Sequence, residues 1–131
     1  MLTIPVTLIS VAAAALINLW LAIRVGQMRG KTKTIHGDDA GGPLTRRMRA
    51  QLNFVENTPF VLLLILALEL SGRTGMWLAT VAAIYFVGRI LHGIGMDGET
   101  GTKPRMIGTT TTMLTLLGLS VYAILVWLHL V

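Results

Sequence analysis

The sequence contains no cysteine, which excludes a disulfide framework, a thiol nucleophile and any cysteine-bound metal. Charge is also scarce: 13% of residues are charged against 53% hydrophobic, far from the soluble average and in the range of integral membrane proteins. The N-terminal stretch MLTIPVTLIS lacks a basic n-region. Despite the small residues Ala12 to Ala15, it therefore predicts a retained membrane helix rather than a cleaved signal peptide. Internal repeats and long low-complexity tracts are missing, and no segment reads as strand. The expectation is one all-α domain over residues 1–131.

What the sequence does have is long apolar runs. A transmembrane helix needs about 20 largely apolar residues, and four segments qualify: about 3–23, 52–70, 75–91 and 107–130. Ser71-Gly72-Arg73-Thr74 reads as a tight turn, whereas the loops before the second span and after the third are polar and longer. The formal charge of +5 is clustered in those loops. Arg24, Arg29, Lys31, Lys33, Arg46, Arg47 and Arg49 precede the second span, Lys103 and Arg105 follow the third, and Arg73 stands alone on the other side. That pattern speaks for topology rather than a nucleic-acid partner. By the positive-inside rule both large loops are cytoplasmic, and in a bacterial inner membrane both termini face the periplasm.

The second span opens with RRMRAQLNFVENTP, a polar stretch that runs directly into apolar residues. A helix from Thr45, read as its cap, to Leu70 would be about 39 Å long at ~1.5 Å per residue, more than the ~30 Å hydrocarbon core. Its first turns should reach the membrane interface. At ~100° per residue, Arg49, Asn53 and Glu56 fall within an arc of ~60° and can address one ligand. Gln51 lies about 200° from Arg49 and faces a different neighbour. Two used faces suggest a site between subunits. An ionisable Glu56 in a membrane segment is costly unless paired or set in a polar cavity, while snorkelling accounts for the arginines alone. Pro59 is expected to kink the helix just beyond this cluster and free a carbonyl near the polar region.

The third span repeats the pattern, with Tyr85, Arg89, His92 and Met96 sharing a second ~60° arc. His92 on its own is more often a structural histidine than a catalyst. A metal site is not expected, because His36 is in a loop, His129 is at the far end and no carboxylate shares the stripe. Arg105, following Lys103-Pro104, is either an interfacial anchor or an anion contact at the start of the fourth helix.

These residues resemble a known family. The run R-x-R-A-Q-x-N-x-x-E-x-x-P from Arg47 to Pro59 is similar to the second-helix signature of the MAPEG proteins, the membrane-associated proteins of eicosanoid and glutathione metabolism. Gly88-Arg89-Ile90-Leu91-His92 followed by Arg105 is similar to the corresponding pattern of the microsomal glutathione transferases. The LAIRV ending of the first span and Arg105-Met106-Ile107-Gly108 resemble the small bacterial branch.

The resemblance implies a homotrimer of four-helix subunits with glutathione as co-substrate between neighbours on the cytoplasmic side. It implies that Arg49, Asn53 and Glu56 hold the tripeptide from one subunit, with Arg24, Gln51 and Arg105 from the next. Arg89 and His92 join the glutathione-binding candidates, and Arg105 corresponds to the arginine that stabilises the thiolate. Asn57 and Met96 stand where other members have tyrosine. The activity implied is a glutathione transferase or peroxidase acting on a lipophilic acceptor that arrives from the bilayer. The competing readings are a non-enzymatic lipid-binding or scaffold protein of the same fold and, less well supported, a small multidrug transporter driven through Glu56.

Overall fold

The computed structural model describes residues 3–131. Within them run four helices: α1 (Pro5–Thr32), α2 (Pro43–Leu70), α3 (Met76–Gly95) and α4 (Lys103–Trp127). All four are long and apolar enough to cross a membrane. Leu8, Leu16, Leu63, Leu114 and Leu117 are each more than half exposed, the arrangement expected of a bundle whose outer solvent is lipid. The interior is built from Leu21, Phe54, Val61, Ile65, Leu68, Leu78 and Tyr85. In it α1 packs chiefly on α2, and α3 chiefly on α4.

The ends of the helices depart from the expected spans for identifiable reasons. Helix α1 does not stop at Ile23 but continues to Thr32 and closes on Lys33 in a left-handed conformation, whose N–H bonds the Arg29 carbonyl. Its last turns, rich in Arg, Gln and Met, are good helix formers that need no lipid. At its other end Pro5 occupies the first turn. There the free N–H groups of Val6 and Thr7 donate to the Glu69 carboxylate at 2.9 and 2.7 Å, and the Thr74 hydroxyl adds a third bond at 2.9 Å. The end of α2 thus caps the start of α1 and fixes the two as antiparallel neighbours.

Helix α2 begins at Pro43, two residues before the expected start, and Thr45 is not its cap. Asp39 takes that role from the loop, accepting from the backbone N–H groups of Leu44 at 2.9 Å and Thr45 at 2.8 Å and from the Thr45 hydroxyl at 2.7 Å. Positive φ values at Gly37, Ala40 and Gly41 turn the chain so that the carboxylate can reach back. The helix then runs unbroken through Pro59 to Leu70.

Helix α4 starts at Lys103, four residues earlier than the expected span, because Thr102 caps it, accepting from the Arg105 N–H at 3.4 Å. The same hydroxyl donates to the Gly95 carbonyl at 2.9 Å, stitching the end of α3 to the start of α4. It ends at Trp127 rather than Leu130. The two helices touch most closely where Gly108 meets Gly88: a Cβ on Gly108 would strike the Gly88 carbonyl oxygen and His92.

Desolvation alone would raise the Asp39 pKa, but the hydrogen bonds from Thr45 and Leu44 outweigh it and hold the carboxyl below its ordinary 3.8. A depressed folded value means that the cap contributes fully above the unfolded pKa and is lost as pH falls through the folded one. The amide protons of Leu44 and Thr45, measured relative to intrinsic exchange rates, should therefore keep their protection at neutral pH and lose it only below 3.8. Asp39→Ala should remove it at every pH. Protection unaffected by the substitution would show that another group caps α2.

Candidate functional site

At the end of the bundle that carries the two long loops, α2, α3 and α4 enclose a polar cavity of about 260 Å³. Arg49, Leu52, Asn53 and Glu56 line it from α2, His92 from α3, Met96 from the cap just past the end of α3, and Arg105 and Thr109 from α4. The α2 residues reach it together because they repeat at helical spacing on one face. Arg105 reaches it because α4 begins so early. Its backbone lies so close to Gly95 that a Cβ there would collide with the Arg105 nitrogen.

Arg49, Glu56 and Arg105 are exposed, and among the described residues their side chains form no hydrogen bond or ion pair within the chain. His92 is buried, and its Nδ1 has no partner among the described residues. The α3 stripe therefore divides. His92 and Met96 line the cavity, whereas Tyr85 and Arg89 bond inward: Tyr85 shares a hydrogen bond with the Thr58 hydroxyl at 2.9 Å. Arg89, 1% exposed, donates to the Thr112 hydroxyl at 2.9 Å and to Asn53 Oδ1 at 2.7 Å. Its guanidinium also lies 5.8 Å from the Phe54 ring centroid.

Arg24 and Gln51 lie outside this cavity. Arg24 donates to the Gly93 carbonyl at 2.7 Å, stacks 4.9 Å from the Trp20 ring centroid and pairs with Asp97. Arg47 reaches the same carboxylate at 3.1 Å and bonds the Arg24 carbonyl at 3.0 Å. Asp97 thus clamps α1, α2 and α3 at one end. Gln51 does face away from Arg49, and its neighbour there is Asn18 of α1 in the same chain, at 3.3 Å. Gln51 also lines a separate hollow of about 450 Å³ between α1 and α2, which shares Arg49 and Leu52 with the polar cavity.

The sequence reading missed Asp97, Arg47 and Asn18 as partners of the site. Asp97 was the findable one, an acid in the loop just after a span, on the side of the bundle that also carries a cluster of arginines. A larger hollow, about 620 Å³ between α3 and α4 and lined by Trp77, Leu114, Leu119 and Tyr122 among others, holds no charged group. Size therefore does not mark the chemistry here; the smaller polar cavity does. Among the described residues no three His, Asp or Glu side chains converge.

The cavity's electrostatics follow from this inventory. Exposed Arg49 and Arg105, buried Arg89 bonded to Asn53, and Glu56 together leave an excess of two positive charges at this end of the bundle. The arrangement suits a ligand that is anionic overall and carries one cationic group for Glu56. A family model described as the MAPEG family matches residues 7–125 of the chain. No curated protein and no solved structure matches it.

Residues that bond nothing within the chain should contribute little to its stability. Glu56→Gln and Arg49→Ala are expected to leave the unfolding free energy of ligand-free, detergent-solubilised protein within about 0.5 kcal/mol of the parent. Asp97→Ala strips two arginines of a partly exposed partner and should cost about 1 kcal/mol. Equal destabilisation by Glu56→Gln and Asp97→Ala would make the cavity residues structural.

Proposed function

The chain belongs to the MAPEG family, and on that premise we propose that it is a membrane glutathione transferase or peroxidase. One observation carries the reading: Arg49, Asn53, Glu56, His92 and Arg105 converge on one polar cavity at the end of a membrane bundle. Membership of the family fits glutathione transferase or a related function in general. The cavity's charges narrow it. Glutathione has two carboxylates, one ammonium and a thiol, so the thiolate form carries two net negative charges and matches the two excess positive ones. Arg49 and the Asn53 amide then hold carboxylate, and Glu56 holds the ammonium.

A free thiol of this kind has a pKa of roughly 8.5. Lowering it by about two units takes ~2.7 kcal/mol of preferential stabilisation of the anion, within reach of one guanidinium in a partly dry site. Arg105 is assigned that role. The thiolate sulfur then attacks an electrophilic carbon, forming the C–S bond as the leaving group departs with its electron pair. With a lipid hydroperoxide, the sulfur takes the terminal oxygen and alkoxide leaves, and a second glutathione converts the sulfenic acid to disulfide and water. The acceptor enters sideways from the bilayer, the tripeptide from the cytoplasm, where the positive-inside rule places this end.

The proposed assembly is a homotrimer, because exposed Arg49, Glu56 and Arg105 at the membrane edge call for a cover that lipid cannot provide. Arg24 and Gln51 of a neighbouring copy are the proposed contributors. Each already has a partner in its own chain, so each would exchange or share that bond with the ligand. The scaffold reading draws on Met96, which lines the cavity with a thioether where other members place a hydroxyl. The transporter reading gains nothing, since Glu56 shares its cavity with Arg49 and Arg105, which repel cations.

Native mass measurement in mild detergent should give three subunits; a stable monomer that still binds glutathione would remove the shared site. Arg105→Ala should raise the apparent pKa of bound glutathione, followed through the thiolate's ultraviolet absorbance, and cut turnover at neutral pH. Arg105→Lys should restore part of it, keeping charge without the planar fork. Binding should suffer less, because the carboxylates are assigned elsewhere. Identical titration curves and rates in parent and alanine variant would leave Arg105 an anchor and put the scaffold reading ahead.

A further inference from the structure

Arg89 is a full charge at 1% exposure, sealed from the cavity it lies under. We propose that, beyond the charge it lends the cavity, it acts on the ligand through Asn53, as a positioning residue that fixes which end of the Asn53 amide faces the cavity. The inference deepens the glutathione reading and rests on it for the identity of the ligand, though not for the contact itself.

A guanidinium has donors and no acceptor, so the atom of Asn53 that it meets at 2.7 Å must be Oδ1. The Nδ2 group is thereby directed the other way. It has no partner among the described residues, and Asn53 lines the cavity. The cavity is thus presented with an N–H donor at this point. An unrestrained amide would also sample the flipped state, turning a carbonyl oxygen toward an anionic ligand.

The guanidinium itself is held on its other side. Thr112 spends its single hydroxyl proton on the Gly108 carbonyl at 2.9 Å, which leaves only lone pairs for Arg89 at 2.9 Å. Arg89 therefore bridges α4 to α2 through two acceptors of fixed polarity. The donor it imposes selects a carboxylate or carbonyl oxygen of the ligand at Asn53.

Arg89→Lys keeps the charge but cannot reach both acceptors as a planar fork. In otherwise native protein it should weaken glutathione binding, measured by calorimetry, about tenfold. In an Asn53→Ala background the same change should have almost no further effect, because its route to the ligand is gone. Equal losses in both backgrounds would overturn the proposal.

A second readout needs no ligand. The Asn53 side-chain amide resonances, identified by their loss in Asn53→Ala, should shift in ligand-free Arg89→Lys; unmoved resonances would also overturn it. If the lysine variant does not fold, Thr112→Val, which removes the α4 anchor of Arg89 together with the bond to the Gly108 carbonyl inside α4, replaces it in both measurements with the same expectations. A parent protein that binds no glutathione would sink the proposed function, and the resonances would still decide the contact.

Discussion

A guanidinium inside a membrane bundle must keep its hydrogen-bond partners, because hydrocarbon offers none in exchange and an unpaired charge there is very costly. Arg89 imposes this requirement on α3, and its neighbours meet it at the two terminal nitrogens, while Nε has no partner among the described residues. Helix α2 supplies the Asn53 oxygen, α4 the Thr112 hydroxyl, and the Phe54 ring covers the remaining side. Such bonds demand that α3 and α4 approach closely, which glycine at positions 88 and 108 permits. The same approach carries the start of α4 to Gly95 and with it Arg105 to the rim of the cavity. Packing, burial of a cation and placement of the proposed catalytic residue are therefore one arrangement seen at different depths.

The carboxylates divide along a similar line. Glu69 is consumed by the first N–H groups of α1, Asp39 by those of α2, and Asp97 by two arginines. Each resolves a deficit created by helix ends or by clustered positive charge. Of the two glutamates within helices, Glu69 is buried and bonded, whereas Glu56 is exposed and bonded to nothing among the described residues. A membrane helix that retains an acid without an internal use for it points to an external one. That contrast, more than the presence of polar residues as such, separates the cavity from the rest of the bundle.

What was legible in the sequence was whatever depends on short-range periodicity. The Arg49, Asn53 and Glu56 arc and the turning of Gln51 to the opposite side follow from helix geometry and appear in the structure. The four helices followed from apolar length, and the second-helix run pointed to the family that the chain belongs to. Helix ends were misplaced because apolar length measures the lipid-crossing part, while α1 and α2 continue beyond it until capped. Partners across the fold were not legible. Glu69 meets residues 62 and 63 positions away, and nothing local distinguishes an acid that caps a distant helix from one that binds a ligand. The shared arc of Arg89 and His92 likewise concealed that one bonds inward while the other lines the cavity.

The position of the cavity follows from the chemistry proposed for it. A charged tripeptide stays in water, and a lipophilic acceptor stays in lipid, so a site serving both has to sit where the bundle leaves the membrane. There α2 must be longer than the bilayer is thick, with polar residues in its emerging turns, and its 28 residues span about 42 Å at ~1.5 Å per residue. A cavity at that level cannot remain open to lipid without leaving Glu56 and two arginines poorly solvated. If neighbouring copies provide the cover, assembly and ligand binding strengthen one another, since each supplies partners for the same charges. The length of α2, the free carboxylate and the proposed shared site are then consequences of one demand, that an ionic and an apolar reactant meet at a single sulfur.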